Sequence, residues 1–367
     1  MKPILHLLGI PHTLSFDERY SHCAFTTKVN RFAPMLRSVG YEVRHYGNGS
    51  GSPDVYHTPI FSKLELEKCL GKFDPSDARM IGDHAHSESL FYREFNARLA
   101  RALNQHVQPG DIICCPFGIA HLAALRASAA AQKAFWVETG IGYEETFAPF
   151  RVFESSAWMH YHYGKKKQRL NDNRGSDYDW VIPNYFDIGE WDLNTACGEY
   201  VLYFGRIGEF KGMEVIKEIA LRRPDLKFVI CGQGDATPWL TPNMEVRPPI
   251  HGRARSELIG KAIAVLVPSR YVEPFGGVAV EAMLCGRPVL ASVFGAFSET
   301  LHHFCFQCRT LKDWLDGLSE CQRFSSLTYD ILRQHARQFD MYRLAEKYDS
   351  AFQQIFELRN EGWYAFV

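Results

Sequence analysis

The sequence has almost no net charge and no long apolar run. Its formal net charge is −1 over 367 residues, so overall charge does not draw the chain toward nucleic acid or an acidic membrane. No apolar run reaches the length of a membrane-spanning helix. The apolar start, residues 1–9, is too short for a signal peptide and predicts a first β-strand. These absences favour a globular cytoplasmic protein.

The ten cysteines are scattered along the chain, without the arrangement of a disulfide framework. Cys114 and Cys115 are adjacent within an apolar, strand-like run. This placement predicts reduced, buried thiols, as expected in a reducing compartment.

Short apolar runs alternate with amphipathic stretches along the whole chain, whose length allows two domains. Strands are predicted at residues 4–8, 42–46, 112–115, 134–138, 180–182, 201–204, 228–231, 264–267 and 289–291. Helices are predicted near residues 24–39, 88–107, 118–131, 212–222, 254–262, 279–285, 311–322 and 342–361. The alternation predicts two doubly wound α/β domains, which meet in the aperiodic stretch 183–198.

A glycine pair separates two carboxylates in the segment Glu273-Pro-Phe-Gly-Gly-Val-Ala-Val-Glu281. An apolar strand-like run, residues 263–269, precedes it, and an apolar helical turn follows it. A strand, a glycine turn and a helix start present free backbone N–H groups and a positive dipole end to an anion. The segment therefore predicts a phosphate site, and this setting argues against the acid and base pair of a glycosidase.

Two basic residues, Arg206 and Lys211, flank a second glycine-containing loop after a predicted strand. A diphosphate leaving group needs positive charge to stabilise the anion that develops on it. Arginine offers a fork of donors and lysine a point charge. A pair of solvated surface charges is the alternative, but the downstream glutamate segment favours a functional pair.

Together these segments resemble the E-x7-E signature and the Gly-Arg loop of retaining glycosyltransferases of family 4, the glycosyl transferases group 1. The likeness continues through residues 286–292 and Gly295, and it covers approximately residues 200–300. It implies the GT-B fold, in which two Rossmann-like domains enclose a cleft. The expected divisions are an acceptor domain at 1–190, a donor domain at 191–340, and a last helix at 341–367 that packs back on the first domain.

The resemblance also implies a role for each residue of the motif. Glu273 is expected to hold the hydroxyls of a donor sugar, and Glu281 the ribose of a nucleotide. Arg206 and Lys211 are expected to bind the diphosphate. The remaining expected donor contacts are Gly232, Gly234, Phe275, Gly276 and Gly277. The co-substrate would be a nucleotide-diphosphate sugar, with UDP or GDP as the nucleotide and with no metal or other cofactor.

The acceptor side is less clearly marked in the sequence. His121, after the strand that ends at Cys115, is a catalytic candidate, although a helical histidine packed in the core is an equal alternative. Glu138, at the end of the next predicted strand, is the alternative to His121 as the residue that orients an acceptor hydroxyl. His12 and His22 lie where the family has a glycine pair, which leaves the acceptor class open. His84 and His86 lack an evident third ligand, so we expect no metal site there.

A basic and aromatic segment, residues 160–174, has more than one interpretation. A solvated loop is the plain one, and contact with a nucleic-acid or membrane surface is the other. The expected function is therefore a retaining glycosyltransferase whose acceptor is a glycan or a hydroxymethylated DNA base. The alternatives are a nucleic-acid-binding protein on a GT-B scaffold without turnover, and a phosphorylase or epimerase on the same fold.

Overall fold

Two parallel β-sheets, each flanked by helices, make up the structure. The computed structural model describes residues 2–20, 23–72, 89–166 and 178–361. Within these residues the first sheet has strands β1 (Ile4–Leu8), β2 (Glu42–Gly47), β3 (Tyr56–Pro59), β4 (Ile112–Cys115), β5 (Phe135–Ile141), β6 (Phe150–Phe153) and β7 (Asp179–Val181). Their spatial order is β3-β2-β1-β4-β5-β6-β7, and every neighbouring pair is parallel.

The second sheet has the same parallel design. Its described strands are β8 (Tyr200–Phe204), β9 (Phe228–Cys231), β10 (Met244–Arg247), β11 (Ala262–Val267), β12 (Val289–Ser292) and β13 (Phe306–Cys308). Their spatial order is β10-β9-β8-β11-β12-β13. In both sheets the order of the chain reverses at one point, between β1 and β4 and between β8 and β11. Ligands of such sheets bind beyond the carboxyl ends of the strands at these reversals.

Helices connect the strands and cover both sheets. In the first half the described helices are α1 (Ala24–Ser38), α2 (Lys63–Leu70), α3 (Leu90–His106), α4 (Leu122–Ala127) and α5 (Ser156–Lys166). In the second half they are α6 (Met213–Arg222), α7 (Gly252–Gly260), α8 (Gly277–Leu284), α9 (Phe297–Thr300), α10 (Leu311–Cys321), α11 (Ser326–Ala336) and α12 (Met341–Glu361). Among the described helices, none is long and apolar enough to cross a membrane.

The predicted GT-B architecture is confirmed, and two predicted elements near the first reversal are wrong. β5 continues to Ile141, because Gly140 lies inside the strand with φ 65° and does not end it. The helix predicted over 118–131 is instead a 3-10 turn, Gly118–His121, followed by the short α4. Gly118 has φ 55° and begins this turn. Both differences affect where the acceptor candidates lie.

The edge strands β3 and β10 escaped the sequence analysis because their patterns are weak. β3 reads Tyr-His-Thr-Pro and has no buried residue, and β10 alternates charged residues with partly exposed apolar ones. By contrast β4, a central strand, is buried at all four positions, which is the continuous apolar run that parallel sheets produce.

The last helix, α12, crosses back to the first domain and completes its core. The rings of Tyr348 and Phe32 meet edge to face at 4.9 Å, and those of Phe352 and Tyr41 at 5.8 Å. Asp349 accepts a hydrogen bond of 2.7 Å from the Tyr41 hydroxyl. The buried face of α12 belongs to the same apolar cluster as β1 and α1.

The two domains also touch through polar groups at the start of α5. The carboxylate of Glu299 accepts hydrogen bonds from the backbone N–H groups of Ser156, at 2.8 Å, and Ala157, at 2.7 Å. The Ser155 hydroxyl donates to the carbonyl of Pro274 at 2.6 Å. A carboxylate at a helix N-terminus satisfies donors that have no partner within the helix, so the second domain supplies the cap of a helix in the first.

The cysteines are free thiols, and most of them are buried. Cys305 and Cys308 have the Cys-x-x-Cys spacing of redox and zinc sites. Burial raises the pKa of each thiol to about 12. A thiol is a nucleophile or metal ligand only when it is deprotonated, so this pair is a part of the core.

Replacing Tyr348 tests whether α12 is integral to the first domain. Tyr348→Ala should lower the free energy of unfolding by about 3–5 kcal/mol, because it empties a buried aromatic site. Tyr348→Phe should be neutral or stabilising, since the buried hydroxyl has no hydrogen-bond partner among the described residues. Tyr342→Ala is the matched control on the same helix, where the side chain is half exposed, and should change stability by about 0.5 kcal/mol or less. Urea unfolding of the three variants checks this, and equal losses for Tyr348→Ala and Tyr342→Ala would contradict it.

Candidate functional site

The glycine turn before α8 lies at the reversal of the second sheet, in the connection that follows β11. Gly276 caps the helix in the left-handed region, with φ 81° and ψ 53°. A side chain there would also meet the Phe297 ring at 2.5 Å. A Cβ on Gly277, the first helical residue, would find only the Phe186 ring, at 3.6 Å. The turn thus needs glycine at position 276 for its shape, whereas Gly277 leaves open space beside the helix N-terminus.

Lys211 and Glu273 are brought together at this turn from different loops. Lys211 follows β8 and Glu273 follows β11, and the two strands are neighbours across the reversal. The Lys211 Nζ lies 2.6 Å from Oε1 of Glu273, and the Ser269 hydroxyl donates to the same oxygen at 2.6 Å. Only 6% of Glu273 is exposed. The carboxylate is therefore held in one orientation beside a cation.

Aromatic side chains border this ion pair. The Lys211 ammonium donates to the Tyr271 hydroxyl and lies 4.6 Å from the centre of that ring. Burial, together with the charge of Glu273, raises the pKa of the Tyr271 and Tyr203 hydroxyls. The charge of Arg206 opposes this rise at both tyrosines, which places its guanidinium in the same region. Arg206 is exposed at the end of β8.

Close backbone packing explains several glycines around the pair. A side chain on Gly212 would collide with the carbonyl of Pro268, and one on Gly295 with the backbone of Glu273. Gly212, with φ 75°, begins α6 directly after Lys211. These two glycines let the loops that carry Lys211 and Glu273 approach their neighbours. The glycines therefore position the ion pair.

Gly232 and Gly234 follow β9 and pack against the loop that follows β8. A side chain on Gly232 would collide with the carbonyl of Gly205, and one on Gly234 would lie 2.5 Å from the carbonyl of Ile207. Ile207 N–H donates to the Gln233 carbonyl at 2.8 Å. These contacts account for both glycines through loop packing, and their predicted contact with a nucleotide stays a prediction.

Phe275 lies inside the protein, although its backbone belongs to the turn. Its ring is buried between Phe186, at 6.2 Å, and Phe339, at 5.4 Å. Phe186 belongs to the segment that joins the domains. The side chain thus anchors the turn, and only its backbone is available for the predicted phosphate contact.

Glu281 lies one turn into α8 and is paired with Arg255 of α7. Only 7% of Glu281 is exposed. Burial raises the pKa of its carboxyl, and the nearby charges of Arg255 and Arg31 oppose that rise. Arg255 was absent from the sequence analysis, because it occupies an ordinary amphipathic helix with no motif of its own.

The acceptor candidates that the structure describes are His12, His121 and Glu138, and all three are enclosed by protein. His121 is fully buried, and its Nε2–H donates to the carbonyl of Gly9 at 2.9 Å. Burial lowers the pKa of this imidazole to about 4. His12 is 7% exposed and its Nδ1 is hydrogen bonded to the Tyr92 hydroxyl at 2.9 Å. The hydrogen bond from His121 therefore links the 3-10 turn after β4 to Gly9, which follows β1.

Glu138 lies inside β5, because the strand runs past its predicted end. Its Oε2 accepts from the backbone N–H groups of Phe147 and Ala148, both at 2.9 Å, and its Oε1 accepts from the Tyr143 hydroxyl at 3.2 Å. The side chain is fully buried, and burial raises its pKa to about 7. This carboxyl holds the loop after β5 in place, and it does not project from the end of the strand.

Other predicted residues fall outside the part of the chain that the structure describes. His22, His84, His86 and residues 167–174 of the basic segment belong to this group. Within the described part of that segment, Lys165 forms an ion pair with Glu144 at 2.5 Å. Among the described residues, no group of three or more histidine, cysteine, aspartate or glutamate side chains could hold a metal ion.

A buried ion pair near the domain contact was missed by the sequence analysis. Lys28 of α1 pairs with Glu154, and each residue is 5% exposed. The Lys28 ammonium also donates to the carbonyl of Gly140 at 2.8 Å. Glu154 directly precedes Ser155, which contacts the glutamate segment at Pro274. The pair therefore fixes the face of the first domain that meets the second.

Comparison with known proteins identifies the second domain. Residues 198–320 match the family model described as glycosyl transferases group 1. These residues form a group 1 glycosyl transferase domain. An uncharacterized glycosyltransferase of Methanocaldococcus jannaschii is 35% identical over 150 residues, which are 34% of this chain and 38% of that protein. The chain thus aligns with about two fifths of the length of this curated relative.

Solved structures extend the likeness to the whole fold. Sucrose-phosphate synthase from Thermosynechococcus elongatus matches with a TM-score of 0.71 at 14% identity, over 97% of this chain and 100% of that one. HepE from Anabaena, in complex with UDP and glucose, matches with a TM-score of 0.66 at 15% identity, over 96% of this chain and 99% of that one. The protein therefore has the GT-B fold along almost its entire length.

The buried state of His121 predicts how stability depends on pH. Its pKa is about 4 in the folded chain and 6.5 by the ordinary value, so only the unfolded chain takes up the proton between these limits. The free energy of unfolding should fall as pH falls, by about 2 kcal/mol from this residue at pH 5. Urea unfolding at pH 7 and pH 5 measures this loss. Between the two pH values the free energy of unfolding of His121→Gln should fall by about 2 kcal/mol less than that of wild type. His160→Gln, at an exposed position, should lose as much as wild type, and an unchanged loss in His121→Gln would refute the prediction.

Proposed function

We propose that this protein is a retaining glycosyltransferase that moves a sugar from a nucleotide-diphosphate sugar to an acceptor hydroxyl without a metal ion. The observation that carries the proposal is the Lys211–Glu273 pair beside the open N-terminus of α8. The pair combines a cation for a leaving diphosphate with an oriented acceptor of sugar hydroxyls. The match of this domain to group 1 glycosyl transferases supports the same assignment.

The diphosphate would lie against the glycine turn. The first N–H groups of a helix have no partner within the helix and carry its positive dipole end. Gly277 allows close approach, because a Cβ there has open space on the side away from Phe186. Lys211 and the exposed Arg206 would neutralise the charge that grows on the diphosphate as the sugar leaves.

The sugar would contact Glu273. Lys211 and Ser269 hold one oxygen of this carboxylate, so its direction is set before the donor arrives. A carboxylate fixed in this way accepts hydrogen bonds from hydroxyls without the cost of ordering it on binding. Glu281, one turn further along α8, would meet the ribose of the nucleotide.

The chemical step would be a transfer on one face of the sugar. The bond between the anomeric carbon and the diphosphate oxygen breaks, and the acceptor oxygen bonds to the same carbon from the same side. The hydroxyl proton passes to the departing diphosphate, so the step needs no strong protein base. This agrees with the internal hydrogen bonds of His121 and Glu138. Contact between the domains at Glu299 and Ser155 would help to exclude water from the donor.

The nucleotide is proposed to be UDP or GDP, with UDP supported by the fold neighbour that was solved with UDP and glucose. The acceptor is proposed to be a glycan or a hydroxymethylated DNA base. A nucleic-acid-binding protein without turnover is less well supported. In the described part of the basic segment, Lys165 is engaged by Glu144, and a binder has no use for an oriented Lys211–Glu273 pair.

Thermal unfolding with nucleotide sugars tests the donor site directly. A ligand that binds only the folded state raises the melting temperature by mass action. UDP-glucose, GDP-mannose, ADP-glucose and TDP-glucose should be compared at equal concentration, each with and without EDTA. We expect one nucleotide family to raise the melting temperature equally in both conditions. The absence of any shift would overturn the donor site, and a shift abolished by EDTA would overturn the metal-free proposal.

Substitution of the ion pair tests the chemical role. Lys211→Met and Glu273→Gln should each lower turnover at least about 100-fold, because each removes a preorganised charge at the reacting centre. Lys217→Met is the matched lysine control, since Lys217 lies on α6 and contacts only the carbonyl of Pro238 in the described structure. Release of the nucleotide diphosphate measures turnover, and the far-ultraviolet circular dichroism spectrum verifies folding. Full turnover in either folded site variant would sink the assignment of that residue.

A further inference from the structure

Arg255 is the closest charged neighbour of the predicted ribose carboxylate. Its Nη2 donates to Oε2 of Glu281, and both side chains are largely buried, at 17% and 9% exposure. The guanidinium carbon lies 4.4 Å from the centre of the Phe204 ring and 5.6 Å from that of Trp191. Arg255 is thus fixed by two aromatic surfaces as well as by the carboxylate.

A buried carboxylate without a partner tends to keep its proton. The charged and titratable groups around Glu281 come from several elements. They are Arg255 on α7, Arg31 on α1, Glu190 in the segment between the domains and Cys285 directly after α8. Among these groups, Arg255 alone donates a hydrogen bond to the Glu281 carboxylate. Arg31 instead donates its hydrogen bond to Glu190. The ionised form of Glu281 therefore depends chiefly on Arg255.

We infer that Arg255 is a positioning residue for the donor ribose: it holds Oε2 of Glu281 so that the carboxylate accepts hydrogen bonds from the ribose hydroxyls. The inference rests on the proposed function, because it requires a nucleotide at Glu281. It makes Arg255 the residue that sets the preference for ribose over a deoxygenated sugar. A planar guanidinium stacked on Phe204 cannot be replaced in full by the point charge of lysine.

The test measures how much the ribose hydroxyls contribute to binding. UDP and 2′,3′-dideoxy-UDP, or the guanosine pair if GDP stabilises the wild type, are titrated by calorimetry into wild type, Arg255→Met, Arg255→Lys and Glu281→Gln. The ratio of the two affinities isolates the hydroxyl contacts and cancels the ionisation of the diphosphate. We expect this ratio to be about tenfold or more in wild type, as for hydrogen bonds to a charged group.

In Arg255→Met the ratio should fall to about 1–3 at the acidic end of the pH range in which the variant stays folded, because a protonated Glu281 is a poorer acceptor. It should recover as pH rises, since the carboxyl then ionises, and the pH of this recovery should lie above that of wild type. Binding of the dideoxy nucleotide should change less than about threefold, since it makes no ribose hydroxyl contact. Arg255→Lys should be intermediate, and it serves as the test if Arg255→Met does not fold.

Three results overturn the inference. An equal loss for both nucleotides means that Arg255 only stabilises the domain. An unchanged ratio in folded Arg255→Met means that Glu281 needs no partner. If wild type binds neither UDP nor GDP, the proposed function itself fails and the inference falls with it, and this outcome is seen before any variant is made.

Discussion

The contact between Lys211 and Glu273 is the constraint on which the rest of the site depends. A lysine and a glutamate from two loops meet above the reversal of a parallel sheet, with a serine and a tyrosine around them. This meeting requires backbones to approach more closely than side chains permit, which is why Gly212 and Gly295 border it. The glycine turn that follows Glu273 also begins α8, so the N-terminus of this helix lies beside the pair. Charge, orientation and access are thus produced by one arrangement of loops.

Much of the fold and the shape of the glycine turn before α8 could be predicted from the sequence, because the determining contacts there are local. The strand, glycine turn and helix of residues 263–284 follow one another directly, so the sequence alone is enough to recognise them. The two doubly wound domains could be predicted for the same reason, since their buried parallel strands are continuous apolar runs. The roles assigned to Glu273 and Lys211 stay predictions that their geometry supports.

Contacts between distant residues escaped the sequence analysis. Arg255, Lys28 and Glu299 look like ordinary surface charges in their own segments, and their partners lie in other elements of the fold. Glu138 was misplaced by a glycine that continues a strand instead of ending it. A single sequence does not tell such a glycine from a turn, because tertiary pairing decides which of the two it is. The loops around His121 and Glu138, which are held by such contacts, were accordingly the least predictable.

Because α12 packs back on the first domain, the core of that domain can be completed only after the second domain has been synthesised. Phe32 and Tyr41 are made early, but the aromatic rings that cover them lie on Tyr348 and Phe352. Chains emerge from the ribosome with the amino terminus first, and domains generally fold as units in that order. Here the second domain can be fully folded while the core of the first domain still lacks the helix that covers one side of it. A nascent chain therefore carries an uncovered apolar surface on its first domain until α12 has left the ribosome.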